Sequence, residues 1–202
     1  WNYPFQLPIV HLAGSIAAGN TVILKLSEFT PHINKVIKEL LADLFDKNHV
    51  AVLEGEVEET THVLQLKFDH IHFTGSPAVG KIIMEAAAKN LTDITLELGG
   101  KSPVFIDKNI NIKEVARNLI WAKFVNMGQT CIAPDYLLVD KSIEKDFDNA
   151  IQEEIRNAFG ENPRESNDLA RIINQKQYDR LASYLDEHKN SNTEWVVKGE
   201  HD

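Results

Sequence analysis

Apolar residues in the first hundred positions follow two alternating patterns, short continuous runs and stripes at three- and four-residue spacing. Thr21-Val-Ile-Leu-Lys25, Val50-Ala-Val-Leu53, His70-Ile-His-Phe73 and Ile94-Thr-Leu-Glu-Leu98 are short, rich in β-branched or apolar residues and bounded by polar or glycine-containing stretches, the pattern of strands. Between them Ile33, Val36, Ile37, Leu40, Leu41 and Leu44, and then Val79, Ile82, Ile83, Ala86 and Ala87, recur at helical spacing. Thr30 before Pro31 and Ser76 before Pro77 supply an N-cap and a first-turn proline for these two helices. Glu56 to Leu66 also has helical composition. Strands alternating with helices predict parallel βαβ units, hence an α/β, doubly wound (Rossmann-like) sheet over residues 1–98 with helices on both faces. Ligands of such sheets bind outside the carboxyl ends of the strands. That rule singles out Lys25 to Glu28, Thr74 to Gly80 and Glu97 to Gly100.

Gly99-Gly100 interrupts the alternation, and a domain boundary is placed there, giving residues 1–98 and 99–202. The second part opens with a strand at Ser102-Pro-Val-Phe-Ile-Asp107, then a helical stripe of Ile112, Val115, Ala116, Leu119, Ile120 and Phe124, then a strand at Tyr136-Leu-Leu-Val139. Helices fit Ile143 to Phe159, with Phe147, Ile151 and Ile155 on one face, and Gln175 to His188; Trp195-Val-Val197 is strand-like. The chain starts at Trp1 without a methionine and stops just after that last run. Both ends read as cuts in a longer sequence.

Composition narrows the partners. With 43% hydrophobic and 25% charged residues the chain is ordinary globular material. Its net charge of -9 disfavours nucleic acid and anionic membrane surfaces, which demand clustered Lys and Arg, and favours small molecules. No apolar run approaches the roughly 20 residues that span a bilayer, and the first residues have no basic-then-apolar signal pattern. One cysteine, Cys131, leaves no intrachain disulfide and no cysteine zinc site. The expectation is a cytoplasmic, reducing environment. His11, His62, His70 and His72 show no ligand spacing with acidic or thiol partners, so no metal is expected.

Cys131 sits in Asn126-Met-Gly-Gln-Thr-Cys-Ile-Ala-Pro134. One reading is a buried thiol acting as a small hydrophobe; the other is a nucleophile. Gly128, Gln129, Thr130 and Pro134 make the segment polar and irregular, unlike a core stripe, yet thiolate reactivity depends on surroundings the residues alone do not specify. Glu97 lies among Leu96, Leu98 and Gly99. Burial there would carry a desolvation penalty and raise its pKa toward general-base range, whereas a place at the sheet's rim would leave it solvated. Gly75-Ser-Pro-Ala-Val-Gly80 joins a strand to a helix start, which suits a phosphate or is simply a capped turn. The three-glycine dinucleotide fingerprint and the P-loop ending are both missing. Lys25 and Glu28 offer a donor and an acceptor to ribose hydroxyls, or are loop charges. The Asn2 amide can donate to an oxyanion or form a turn before Pro4.

Taken in order, Trp1-Asn-Tyr-Pro-Phe5, Ala18-Gly-Asn-Thr-Val22, Lys25-Leu-Ser-Glu28, Phe73-Thr-Gly-Ser76 with Gly80, Leu96-Glu-Leu-Gly-Gly-Lys-Ser-Pro103 and Gly128-Gln-Thr-Cys131 resemble the aldehyde dehydrogenase superfamily over essentially the whole chain. Asp-His-Ile-His-Phe-Thr-Gly-Ser76 and Cys131-Ile-Ala-Pro-Asp-Tyr136 are most similar to the class 3, or fatty aldehyde dehydrogenase, branch. The resemblance implies NAD(P)-dependent oxidation of an aldehyde to a carboxylic acid. Cys131 would be the nucleophile, Glu97 the general base for thioester hydrolysis and Asn2 an oxyanion donor. It implies cofactor contacts from Trp1, Lys25, Glu28, Gly75, Ser76, Pro77, Ala78, Val79, Gly80 and Leu98, with NAD or NADP as cofactor. Residues 1–98 would be part of the NAD(P)-binding domain and 99–202 the first part of an α/β catalytic domain. The whole protein would be a homodimer acting on a small aldehyde, with any membrane attachment through a carboxyl-terminal tail, and the 202 residues alone would have little or no activity. Leu26 stands where many relatives have proline, and Met127 where serine is frequent. Two alternatives are a coenzyme-A-acylating relative, against which Glu97 argues, and a non-catalytic protein that keeps the fold.

Overall fold

Six strands pair in three parallel two-stranded ladders among the described residues, which in this computed structural model are 1–187. By its contacts the chain divides into two units, Trp1–Leu98 and Gly99–Asp202.

In the first unit, helix α1 (Gln6–Ala17) leads to β1 (Val22–Lys25), α2 (Pro31–Leu44) and β2 (Val50–Leu53). Strands β1 and β2 pair in parallel with Lys25 opposite Leu53 at their carboxyl ends. Leu12, Leu26, Ile37, Leu41 and Val50 are buried together against them. Fully burying a Leu, Ile or Val side chain stabilises by about 1.5–3 kcal/mol, so this group anchors the strand ends where the loop of Lys25 and Glu28 begins. Next come α3 (Val57–Val63), β3 (His70–Thr74), α4 (Pro77–Ala88) and β4 (Asp93–Glu97). Strands β3 and β4 pair in parallel and end with Thr74 opposite Glu97. The α/β class with parallel strands holds, but ladder hydrogen bonds join the strands of residues 1–98 as two separate pairs and not as one continuous sheet.

Three local expectations need correction, and one helix has no counterpart among them. Helix α1 went unread because its apolar residues lie on several sides; Leu12 is the one buried residue in it. Helix α3 spans seven residues, about two turns, and not the whole of Glu56 to Leu66. Thr30 makes no capping bond; its hydroxyl instead donates to Asn34 Oδ1 at 3.1 Å. On α4 the buried stripe is Gly80, Ile83 and Ala87, while Val79 and Ile82 are 41% and 58% exposed. Small residues won because the helix lies close to its strands. Ser76 does cap α4, accepting the Val79 N–H at 3.3 Å.

The second unit holds β5 (Ser102–Ile106), α5 (Ile112–Phe124), a 3-10 turn at Val125–Gly128, β6 (Pro134–Val139), α6 (Glu144–Phe159), a second 3-10 turn at Pro163–Glu165 and α7 (Gln175–Glu187). Strands β5 and β6 are parallel. Ile106, Ala116, Leu119 and Phe147 are buried together, so α5 and α6 pack on this ladder. His188 and the strand-like Trp195-Val-Val197 lie outside the described residues.

Candidate active site

At the carboxyl end of β1, Lys25 Nζ lies 3.3 Å from a Glu28 carboxylate oxygen, with both side chains partly covered. Such a pair contributes at most about 1 kcal/mol, so its placement matters more than its strength. The loop between them is fixed from α2. Asn34, buried, donates from Nδ2 to the Ser27 C=O at 2.7 Å, and losing such a buried bond costs about 1–3 kcal/mol. Lys25 also lines a cleft of about 340 Å³ with Leu53, Glu54, Glu59, His62 and Val63, a volume in the range of small-molecule pockets. This cleft opens at the carboxyl ends of β1 and β2, where the sheet rule places ligands. Glu59 donates no proton here; its carboxylate accepts the Glu56 N–H at 2.8 Å, and backbone hydrogen bonds hold its carboxyl below the usual range. Trp1 is half-buried ahead of helix α1.

A second cluster forms where β3 and β4 end. The Gly75 N–H donates to the Glu97 C=O at 3.0 Å, which continues the ladder one step into the turn. Gly80 faces Leu98 and Leu96: a Cβ there would meet Leu98 Cδ2 at 3.0 Å. Glycine at this position lets α4 approach its strands without displacing the Leu98 side chain. Ser76, Pro77, Ala78 and Val79 make the exposed start of α4, a twelve-residue helix, whose first-turn N–H groups and positive end suit an anion. Glu97 itself is exposed. Of the two placements its flanks allow it takes the rim, because it is the last residue of its strand. Nearby His72 feels its charge. Asn2 is half-buried, four residues ahead of α1.

In the second unit, Cys131 is half-buried on a turn between the 3-10 segment and β6. The chain reaches it through three successive left-handed residues, Asn126 (φ 51°), Met127 (φ 55°) and Gly128 (φ 72°). For residues other than glycine this conformation costs about 1–2 kcal/mol each, and asparagine tolerates it better than methionine. A turn under that strain persists only where other contacts impose it. Gly100 packs directly on the turn: a Cβ at that position would sit 2.6 Å from the Cys131 carbonyl oxygen. Lys123 Nζ donates to the Pro134 C=O at 2.7 Å, tying the end of α5 to the start of β6.

The structure thus brings Lys25 and Glu28 together, and Gly75 to Gly80 with Glu97 and Leu98, within the first unit, and holds Cys131 beside Gly100 in the second. Two sets of residues escaped the sequence reading. Glu54 follows β2 as Lys25 ends β1, so the sheet rule applied to β2 would have reached the cleft. Gln129 enters the sequence reading only as a polar neighbour of Cys131 and as part of Gly128-Gln-Thr-Cys131, with no role of its own.

Three comparisons bear on this arrangement. The sequence profile described as the aldehyde dehydrogenase family matches residues 1–202. Aldehyde dehydrogenase family 3 member A2 of Macaca fascicularis is 50% identical over 189 residues, covering 94% of this chain and 39% of its own length. The dimeric NADP-preferring aldehyde dehydrogenase of Mus musculus is 47% identical over 189 residues, covering 94% and 42% respectively. The crystal structure of Mycobacterium tuberculosis aldehyde dehydrogenase complexed with NAD+ superposes with a TM-score of 0.90 at 25% identity, over all of this chain and 42% of that one. The chain spans about two fifths of the length of the curated relatives it matches. A match that runs unbroken from Trp1 to Asp202, together with half-identical family 3 relatives, establishes that the chain belongs to the aldehyde dehydrogenase family.

Proposed function

We propose that this chain supplies the nucleophile, the deacylating base and part of the dinucleotide site of an NAD(P)-dependent aldehyde dehydrogenase. Residues 1–98 form part of the nucleotide-binding domain and the residues from Gly99 on part of the catalytic domain. The observation that carries the reading is the Cys131 turn. A thiol serving only as a small core hydrophobe has no need of two left-handed non-glycine residues before it or of a glycine pressed against its carbonyl.

Cys131 attacks the aldehyde carbon as a thiolate, giving a tetrahedral thiohemiacetal whose oxyanion accepts hydrogen bonds from the Asn2 side-chain amide and the Cys131 N–H. NAD or NADP, when bound, accepts the hydride lost by that carbon. The residues present fit such a dinucleotide. Lys25 and Glu28 would meet ribose hydroxyls, the cleft beside Lys25 would take the adenosine half, and the Gly75–Gly80 turn and α4 start would meet the pyrophosphate. Loss of hydride leaves a thioester on Cys131. Glu97 then takes a proton from water, the resulting hydroxide displaces the thiolate, and a carboxylic acid leaves. The exposed position of Glu97 gives it access to that water. Support for either cofactor comes from a relative named NADP-preferring and a neighbour bound to NAD+, and a dimer follows the same named relative.

The test is reduced-cofactor formation, monitored by absorbance, from an aldehyde panel with a complete subunit carrying this chain and with the 202-residue chain alone. The expected result is turnover by the complete subunit and none by the 202 residues. Steady turnover by the short chain would overturn the second half of the proposal, and no turnover of any aldehyde by the complete, folded subunit would overturn the first.

A further inference from the structure

Gln129, two residues before Cys131, uses its side chain to join two stretches of backbone that are far apart in sequence. Its Nε2 donates to the Asn126 C=O at 2.9 Å and to the Arg171 C=O at 3.1 Å. Its Oε1 accepts the Ile173 N–H at 3.0 Å. The Asn126 C=O also accepts the Gln129 backbone N–H at 3.1 Å, so both of its lone pairs are engaged. The side-chain amide is thus fully directed. Both of its N–H groups go to backbone carbonyls, one on the strained turn and one across the loop, and its oxygen returns to the same distant segment.

We propose that Gln129 is a positioning residue for Cys131, a role that rests on the nucleophile reading above. Asn126, Met127 and Gly128 adopt a conformation that a free loop would leave. The Gln129 amide imposes it by bonding to the carbonyl at its start while anchored on Arg171 and Ile173. The geometry needs an amide specifically. A carboxylate of the same shape would accept the Ile173 N–H but would turn lone pairs toward two carbonyl oxygens, and a shorter side chain would not bridge the two segments. Gln129 touches no reacting group in this account. Its effect is on where the Cys131 sulfur is held when the aldehyde arrives, and misplacement by about 1 Å can cost on the order of 100-fold in rate.

The experiment is single-turnover formation of reduced cofactor in a complete subunit carrying this chain, comparing wild type with Gln129→Glu, Gln129→Ala and Cys131→Ala. Both Gln129 variants should lower the burst rate by about 10- to 100-fold at full amplitude, with little change in the aldehyde KM. A residue that merely stabilised the fold would lower the amplitude, the fraction of competent sites, and leave the rate alone; that result, or a wild-type burst in both variants, overturns the proposal. Should both variants fail to fold, amide hydrogen exchange on the wild-type protein decides: the Ile173 N–H should be protected, and exchange at the rate of an open loop overturns the clamp. Cys131→Ala separates the two claims. Loss of the burst there leaves the nucleophile in place whatever Gln129 does, and a persisting burst removes the nucleophile reading itself.

Discussion

The Gly75 N–H and the Glu97 C=O are hydrogen-bonded at 3.0 Å, so the turn proposed to face the pyrophosphate and the residue proposed to activate water are adjacent rungs of one parallel ladder. A Cβ on Gly75 would run into the Phe73 ring, which lies on the strand leading to it. Gly75→Ala therefore forces that ring aside at a typical overpacking cost of about 1–3 kcal/mol. The expected outcome is a lower Tm with weaker cofactor binding by calorimetry. Unchanged cofactor affinity would separate the turn from the nucleotide site.

Glu28 is held 3.3 Å from Lys25 and presents a carboxylate where a ribose 2′-substituent is expected. Replacing it by Gln removes the charge that repels a 2′-phosphate and frees Lys25 to attract one. Glu28→Gln should shift the NADP over NAD ratio of kcat/KM upward by about tenfold, the equivalent of about 1.4 kcal/mol. An unaltered ratio would show that the pair does not face the ribose.

Gly100 lies against the Cys131 carbonyl, so Gly100→Ala should displace the cysteine turn. The expected outcome is a fall in kcat of about 10- to 100-fold with the cofactor dissociation constant preserved, since the disturbance is confined to the cysteine side. Wild-type kcat in this variant would mean that the turn relaxes without consequence.

His72 stacks on His11 with ring centroids 3.8 Å apart, and its pKa lies below the ordinary 6.5, first through desolvation and then through the His11 charge, with Glu97 opposing. A histidine whose folded pKa is depressed binds fewer protons folded than unfolded just below pH 6.5. Stability is therefore complete above that pH and declines as the pH falls through the window between 6.5 and the folded value. His72→Gln should flatten the dependence of Tm on pH in the weakly acidic range, measured by thermal melts. An equal slope in both proteins would assign it to other groups.

Much of this was legible in the residues, and the exceptions have physical causes. Apolar runs located the six strands of the described residues because strand patterns are short and bounded by turn residues, and Ser76-Pro77 marked α4 because capping is local. Helix α1 was missed because an apolar residue on every side gives no stripe. The α4 face was misjudged because Gly80 and Ala87, not the larger Val79 and Ile82, meet the strands, a matter of interaxial closeness that side-chain hydrophobicity does not encode. The flanks of Glu97 left burial and the rim both open, because burial depends on what covers a strand's end. Gln129 was invisible as an anchor because its partners, Arg171 and Ile173, lie some forty residues on, and a long-range side-chain bond has no local pattern.

The central claim is that Cys131 carries the acyl group and Glu97 releases it. It is tested most directly by mixing a complete Glu97→Gln subunit carrying this chain with aldehyde and NAD, quenching after one turnover, and measuring intact mass with peptide mapping. The account predicts a burst of one reduced cofactor per site with an acyl group on the Cys131 peptide that persists far longer than in the wild type. A burst followed by normal turnover with no adduct, or an adduct on any other residue, would contradict it.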